Sequence, residues 1–519
     1  MLSLLLLLLP SLAALPAQDW TNLGGNPQRN GLAPAGGPTA ADLLWSNSAD
    51  FSIISWQPVM HGDRVFTVRE SGFPQNGGAA NDAIVAYDVD TGTELWRTTL
   101  PFNGNTSQQW IAWIGGASGG AVYASRASHL QPQPMTALDA ATGGILWNSA
   151  AATQAFAYDG CVFAPDGDLV VGDWVSLTRI DGASGATVWS VPRTCPVSGN
   201  CGPAATATAL YIDEPAPGGQ VITKFDLATG ARLYSSTLMP GFTDQNTPFV
   251  DAGRNVVYFS RTQNNTLVDF LFAFQDTGTG LTELWRRPVR WTTGHEHGIG
   301  PDGSIYTFLQ SDEFVRLDPA TGNVLDSAGI LSPLGILSPK TAVDQDGNVY
   351  VGNGWASSPS SDGRMWAFNA DLAQNLFTLN LDNPNQGGPA LGTRGTLVVC
   401  DRFAVRAYRS ACSLSVTLEG PGGGPPAAGA VNTLAVDCAT PDGRVLLAAS
   451  LDPNGTTPAS ACGVSWDMHN AHERAVTADA AGRFARPVLV PARLAGRQVP
   501  LQAIDVASCT KSSVQLVQF

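Results

Sequence analysis

Ala137-Leu138-Asp139-Ala140-Ala141-Thr142-Gly143-Gly144-Ile145-Leu146-Trp147 is the stretch whose reading decides the fold. It reads as strand, tight turn, strand. An aspartate before a turn accepts hydrogen bonds from the amides that follow, and threonine does so more weakly. Gly143 supplies the positive φ that closes the turn without a Cβ clash. Trp147 then falls on the second strand, where an indole needs apolar neighbours and a partner for its N–H.

Working outward, the same sentence recurs. Ala86-Tyr87-Asp88 leads through Thr91-Gly92 to Trp96, Arg179-Ile180-Asp181 to Trp189, and Lys224-Phe225-Asp226 to Tyr234. Fainter copies run from Ala273-Phe274-Gln275 to Trp285, from Arg316-Leu317-Asp318 to Leu325, and from Ala367-Phe368-Asn369 to Phe377. Asp88, Asp139, Asp181 and Asp226 stand 51, 42 and 45 residues apart. Periods of this size mark propeller blades or solenoid units. Upstream of the copies lie hairpin signals between apolar runs: Asp166-Gly167, Asp302-Gly303 and Asp346-Gly347-Asn348. A hairpin followed by strand, turn and strand gives four antiparallel strands, the make-up of a propeller blade.

The copies give seven blades, and two fragments remain. Residues 392–409 supply a hairpin and a third strand, whereas Leu43-Leu44-Trp45 reads as an outer strand with no hairpin before it. Joined, they make an eighth blade and remove two open sheet edges. The expected fold is all-β: an eight-bladed β-propeller over residues 19–411, closed by an N-terminal strand. Trp96, Trp147, Trp189 and Trp285 are read as blade-docking residues rather than as a ligand site.

The pattern Ala-x-Asp-x-x-Thr-Gly-x-x-x-Trp is similar to the repeat of the PQQ-like (pyrroloquinoline-quinone-type) β-propellers. Asp19-Trp20 with Gly24-Gly25-Asn26-Pro27-Gln28-Arg29-Asn30-Gly31 resembles the entry segment of that family. The family holds quinoprotein dehydrogenases and also cofactor-free propellers, among them the lipoprotein of the outer-membrane barrel-assembly machinery. For an enzyme, the resemblance implies a calcium-bound quinone in the central channel over a Trp floor, a catalytic Asp and, in many members, a pair of adjacent cysteines. This chain has no adjacent Cys pair, and no Glu, Asn and Asp can be assigned to calcium residue by residue. No catalytic or cofactor-binding residue is therefore assigned. The expectation is the non-enzymatic branch without a cofactor, with a quinoprotein-type oxidoreductase using PQQ and calcium, or an outer-membrane assembly scaffold, as the alternatives.

Composition bounds the partners. Of 519 residues, 14% are charged and the net charge is −15. An acidic surface disfavours nucleic acid, whose phosphates require a basic patch. A protein or glycan ligand fits better, with the chain a monomer. The 56 glycines and 35 prolines suit many short strands and turns. Residues 1–18 begin with a leucine run about as long as a signal-peptide core and short for a membrane span, so the mature chain is expected to lack a transmembrane segment. A signal peptide places the protein outside the cytoplasm, secreted or in the periplasm or outer envelope, where disulfides persist. Cys195 and Cys201 bracket a short Pro/Ser/Gly/Asn loop and are the expected local bridge; Cys412, Cys438, Cys462 and Cys509 could staple the tail, without a pairing the spacing can choose. That tail, residues 412–519, shifts to alternating strands after a Pro/Gly run and reads as a small accessory β-sandwich.

Three further clusters carry possible chemistry. His295-Glu296-His297 puts both imidazoles on one face of a strand, a start for zinc or copper; without a third ligand, two polar histidines on a wet strand end is the expected role. Asp344-Gln345-Asp346-Gly347 opens like a calcium loop but lacks the later acidic ligand, so a β-turn is expected. Trp110 and Trp113, in a polar stretch, either stack on a glycan or peptide or pack against the second blade's inner strand.

Overall fold

The computed structural model describes Leu7–Leu8 and residues 19–519, apart from 53–55, 70–80, 106–108, 110, 128–130, 154–159, 174, 194–201, 241–246, 263–267, 291–296, 335–338, 355–362, 383–386, 393–394, 411–413, 422–423, 441 and 480–481. The chain divides into Gln18–Ser410 and a second unit of Ala411–Phe519 with Met1–Ala17.

Among the described residues, Gln18–Ser410 holds eight antiparallel sheets built on four strands each, consistent with a propeller. Sheet 1 runs through Val59–His61, Arg64–Arg69, Ala83–Asp88 and Glu94–Thr99 in chain order. Sheets 2 to 7 repeat that order over residues 112–153, 162–192, 204–240, 249–290, 298–330 and 341–381. Sheet 8 draws on both ends of the unit: Ala390–Leu391, Leu397–Cys400 and Val405–Tyr408 take Leu43–Asn47 as their fourth strand. Middle strands are buried on both faces, as in Val349–Gly352, because each sheet is covered on either side. Fourth strands alternate, as in Asn375–Leu381, since one face meets solvent. The core accordingly lies between successive sheets; Tyr306, Phe308 and Phe314 of sheet 6, for example, pack with Val349, Trp366 and Phe368 of sheet 7.

One register position recurs in every sheet, beside a bulge or turn at the start of the fourth strand. It pairs Ala86 with Trp96, Ala137 with Trp147, Arg179 with Trp189 and Lys224 with Tyr234. It continues with Ala273 and Trp285, Arg316 and Asp326, Ala367 and Phe377, and Ala407 and Trp45. In the sixth copy the aromatic position is therefore Asp326, one residue beyond the Leu325 at which the sequence pattern ends.

The first strands converge on a common centre. Trp20 O accepts from Met60 N of sheet 1 (2.8 Å) and Thr21 O from Ala117 N of sheet 2 (2.7 Å). Asn22 Nδ2 donates to Cys161 O, next to sheet 3 (3.2 Å). Pro27 O, Gln28 O and Asn30 O accept in turn from Ala205 N, Val250 N and Ile299 N of sheets 4, 5 and 6, and Gly31 O accepts from Val343 N of sheet 7. Gln57 extends the series to sheet 8, accepting from Gly24 N and donating to Pro389 O. A dozen residues span at most about 40 Å, so one short segment meets sheets 1 to 7 in chain order, at the first strand of each except sheet 3, where it meets the residue just before it. The glycine of the entry motif has a steric reason here: Gly31 has φ +69°, and a Cβ on it would come within 2.7 Å of Thr341 O.

In the second unit, Ser415–Glu419, Val431–Asp437 and Phe484–Leu489 form one sheet, which Leu7–Leu8 extends. Arg444–Ala449, His472–Thr477 and Gln498–Asp505 form the other, with the short strands Thr510–Lys511 and Gln515–Gln518. Val416 and Leu434 of the first share an apolar core with Leu447, Leu501 and Ala503 of the second. A disulfide joins Cys462 to Cys509, and Cys438 is also disulfide-bonded.

Candidate functional site

The seams between sheets are where this chain both repeats itself and departs from its repeat. In the regular copies, one carboxylate oxygen organises the turn. Asp139 Oδ1 accepts from Ala141 N (3.0 Å), Thr142 N (2.7 Å) and Thr142 Oγ1 (2.9 Å); the side-chain and backbone bonds from Thr142 hold its carboxyl below the usual range. The carboxylates of Asp88, Asp181 and Asp318 accept the same backbone and hydroxyl bonds from Thr91, Ser184 and Thr321. The glycine of each turn receives the indole of the preceding sheet. A Cβ on Gly143, Gly185, Gly230 or Gly322 would lie 2.5–2.7 Å from Trp96, Trp147, Trp189 or Trp285 respectively. The indole N–H groups donate to the carbonyls of Ala140, Gly182, Leu227 and Pro319 in the same turns. Trp45 makes the same contact with Gly92 and donates to Val89 O at 2.8 Å.

Between sheets 4 and 5 this lock is replaced. Tyr234 stands where the indole would be, Lys224 sits opposite it in register, and the turn of sheet 5 is rebuilt around Asp276. Asp276 accepts from Tyr211 Oη (2.6 Å), Tyr234 Oη (2.6 Å), Lys224 Nζ (2.7 Å) and Gly278 N (2.8 Å). Lys224 also donates to Tyr234 Oη (2.9 Å) and lies over both tyrosine rings, 5.7 and 5.2 Å from their centroids. Burial opposes the charge on Asp276, but the bonds from Lys224, Tyr211 and Tyr234 outweigh it and hold the carboxyl down at about 2. The same balance favours the Lys224 ammonium: burial works against it, and Asp276 and Tyr234 prevail. Beside this cluster a cavity of about 490 Å³ opens, lined by Thr206, Thr208 and Tyr211 from sheet 4 and by Asn255, Asp276 and Thr277 from sheet 5. Nothing lies within 4 Å of where a Cβ on Gly278 would stand. Tyr234 in place of Trp, and Lys224 in place of Ala, was the available signal in the sequence; the partner Asp276 was hidden because the turn alignment centres on Gln275.

The other sequence candidates fall elsewhere. His297 is buried, not on a wet strand end. Its Nδ1 is 2.9 Å from Thr307 Oγ1, its Nε2 is 3.2 Å from Ser260 Oγ, and its ring stacks on Phe249 at 5.1 Å. It stands just before the strand Gly298–Ile299, between residues of sheets 5 and 6, where burial pushes its pKa down to about 3. His295, Trp110, Cys195 and Cys201 lie outside the described residues. Trp113 is wholly buried on the first strand of sheet 2. Asp344 forms a turn: Oδ1 accepts from Asp346 N and Asn348 N, and Oδ2 from Gly37 N and Tyr350 Oη. The thiols of Cys161 and Cys400 are buried, which pushes them up to about 12 and about 11 and leaves them poor nucleophiles.

A quinone and calcium need converging carboxylates near the axis. What the structure places there is the entry segment, with Arg29 buried and its Nε donating to Pro203 O at 2.7 Å. Among the described residues no group of three or more His, Cys, Asp or Glu side chains is placed to hold a metal ion. The donor set does not fit the group, and no chemistry is derived through it.

Residues 80–327 match the family model described as outer membrane protein assembly factor BamB. Over those residues the chain is similar to this PQQ-like β-propeller repeat family. Among solved structures it is similar to BamB from Moraxella catarrhalis, at 17% identity and a TM-score of 0.47 over 71% of this chain and 97% of that one. It is also similar to quinohemoprotein alcohol dehydrogenase from Comamonas testosteroni, at 13% identity and a TM-score of 0.51 over 77% and 82% of the two chains. At 13% identity this second likeness concerns the fold alone. No curated protein sequence matches the chain.

Proposed function

We propose that this is a secreted or cell-envelope β-propeller, closed into a ring by Leu43–Asn47 and followed by an accessory β-sandwich, that acts as a non-catalytic binding or scaffold protein. The observation that carries the reading is the occupation of the inner wall. The entry segment takes the backbone groups of the first strands of sheets 1, 2, 4, 5, 6 and 7, so contact with a partner falls to the loops and to the part of the channel the segment leaves open. A rigid ring of loops suits binding, although a fold alone assigns no function. The family match, whose description is an outer-membrane assembly factor, supports a scaffold role in the cell envelope as the narrower form of the reading.

The test is capture from the native envelope and culture fluid on immobilised mature protein. A protein or glycan retained saturably and competed by soluble protein is the expected result. Oxidation of alcohols or aldose sugars after addition of PQQ and calcium would replace this reading with the enzymatic one.

A further inference from the structure

The seam between sheets 4 and 5 breaks the pattern of its neighbours in a directed way. Where an indole fills five of the other seams, here Tyr234 stands beside a cavity of about 490 Å³, within the roughly 300–1,000 Å³ typical of small-molecule sites. A mere loss of the indole would leave an apolar gap. Instead, the wall carries Lys224, Asp276, three threonines and Asn255. The seam between sheets 6 and 7 shows the contrast: it too lacks the indole, having Asp326 at that position, yet buried Leu372 packs among its apolar residues.

The hydrogen-bond inventory narrows the ligand. Asp276 already accepts four bonds, from Lys224, Tyr211, Tyr234 and Gly278, which uses about all the lone-pair sites of a carboxylate. It therefore orders the wall and does not receive the ligand. Lys224 has three N–H donors, of which two go to Asp276 and Tyr234, so one is left for an oxygen in the cavity it lines. The hydroxyl of Thr208 and the amide of Asn255 each both donate and accept, at exposed positions on the rim. The ion pair inside the wall cancels its own charge, so a free anion or cation gains one partner and meets the other. Ala207, Ala252 and the tyrosine ring of Tyr211 add apolar wall between these groups. A neutral ligand whose oxygens act as acceptors and donors side by side over a partly apolar ring meets all of these conditions.

We infer that the cavity between sheets 4 and 5 binds a single hexose unit, with a sugar oxygen accepting from Lys224 and the hydroxyls exchanging bonds with Thr208 and Asn255. This rests on the reading of the chain as a binding protein and names one ligand class and its place.

The sequence offers a direct probe, because lysine occurs at 224, 340 and 511 alone. Protein labelled with [ε-13C]lysine gives one resonance from the cavity and two internal controls. Titration with glucose, galactose, mannose and N-acetylglucosamine should shift the Lys224 signal saturably for at least one of them, with Lys340 and Lys511 unmoved. Thr208→Trp, an exposed change at the mouth, should abolish the shift with an unchanged melting temperature. The inference is overturned if none of the four sugars moves Lys224 at about 50 mM, well above the roughly millimolar Kd of a weak single-ring ligand. It is also overturned if Thr208→Trp leaves the shift intact, or if sodium acetate moves the same signal at lower concentration than any sugar. Envelope capture that persists in Thr208→Trp while the sugars fail removes the hexose site alone. Failure of capture by the parent protein counts against the wider reading instead.

Discussion

Trp147 of sheet 2 lies against Gly185 of sheet 3 so closely that a Cβ on the glycine would come 2.6 Å from the indole ring, while Nε1 reaches Gly182 O at 3.3 Å. The two residues are 38 positions apart and join two repeats into one seam. Trp147→Ala should lower unfolding free energy toward the bottom of the roughly 3–5 kcal/mol range for buried Trp-to-Ala changes, because this indole is only partly buried. Gly185→Ala should also destabilise, by at least about 1 kcal/mol, from its φ of +74° and the clash. Denaturant unfolding measures both. A folded Trp147→Ala protein with parent stability but no partner binding would show that Trp147 belongs to a ligand site.

The Asp276 carboxyl, held down at about 2 from an ordinary 3.8, stabilises the fold wherever it is ionised in the folded state. That contribution is complete above about pH 4 and is lost as pH falls through about 2. The stability gap between the parent and Asp276→Asn should therefore narrow as pH is lowered from about 5 towards 2. A gap independent of pH would mean that Asp276 is not the charged centre of the cluster.

His297 titrates in the opposite sense to an ion-paired histidine. Its folded pKa of about 3 lies below the ordinary 6.5, so between those values the unfolded chain takes up a proton that the folded chain refuses. Stability should fall as pH falls across that window, and His297→Gln should flatten the fall. Imidazole resonances of a neutral ring at pH 5 would confirm the state; a protonated ring at that pH would contradict it.

Leu43–Asn47 supplies the fourth strand of sheet 8, and the segment before it lines the inner wall. Deleting residues 19–46 should abolish cooperative thermal unfolding of the propeller unit. A truncated protein that melts as the parent does would show that the sheets hold together without them.

The repeat was legible because each of its parts is local. Asp139, Thr142 and Gly143 meet across a few residues of one turn, and the alternation around Trp147 follows from strand geometry. Trp45 could be grouped with the repeat only because sheet 8 lacked a fourth strand. His297 was misplaced for the complementary reason: its strand-end position is a local fact, while its burial comes from Phe249, Ser260 and Thr307, which belong to other strands. The second-unit disulfide between Cys462 and Cys509 was equally open, since its partners are 47 residues apart and four tail cysteines allow several pairings.

By itself the sequence determined the repeating unit, its number and its turn chemistry, because these depend on short-range hydrogen bonds and periodicity. Only the tertiary structure decided what each copy meets. The entry segment proved to bond to successive sheets from Trp20 to Gly31, an arrangement that depends on strands far apart in the chain. Tyr234 in place of tryptophan was visible in the chain, but its meaning depended on Asp276 of the next sheet. A side chain's surroundings are set by residues distant in sequence, and at this seam they turned a missing indole into a polar cavity.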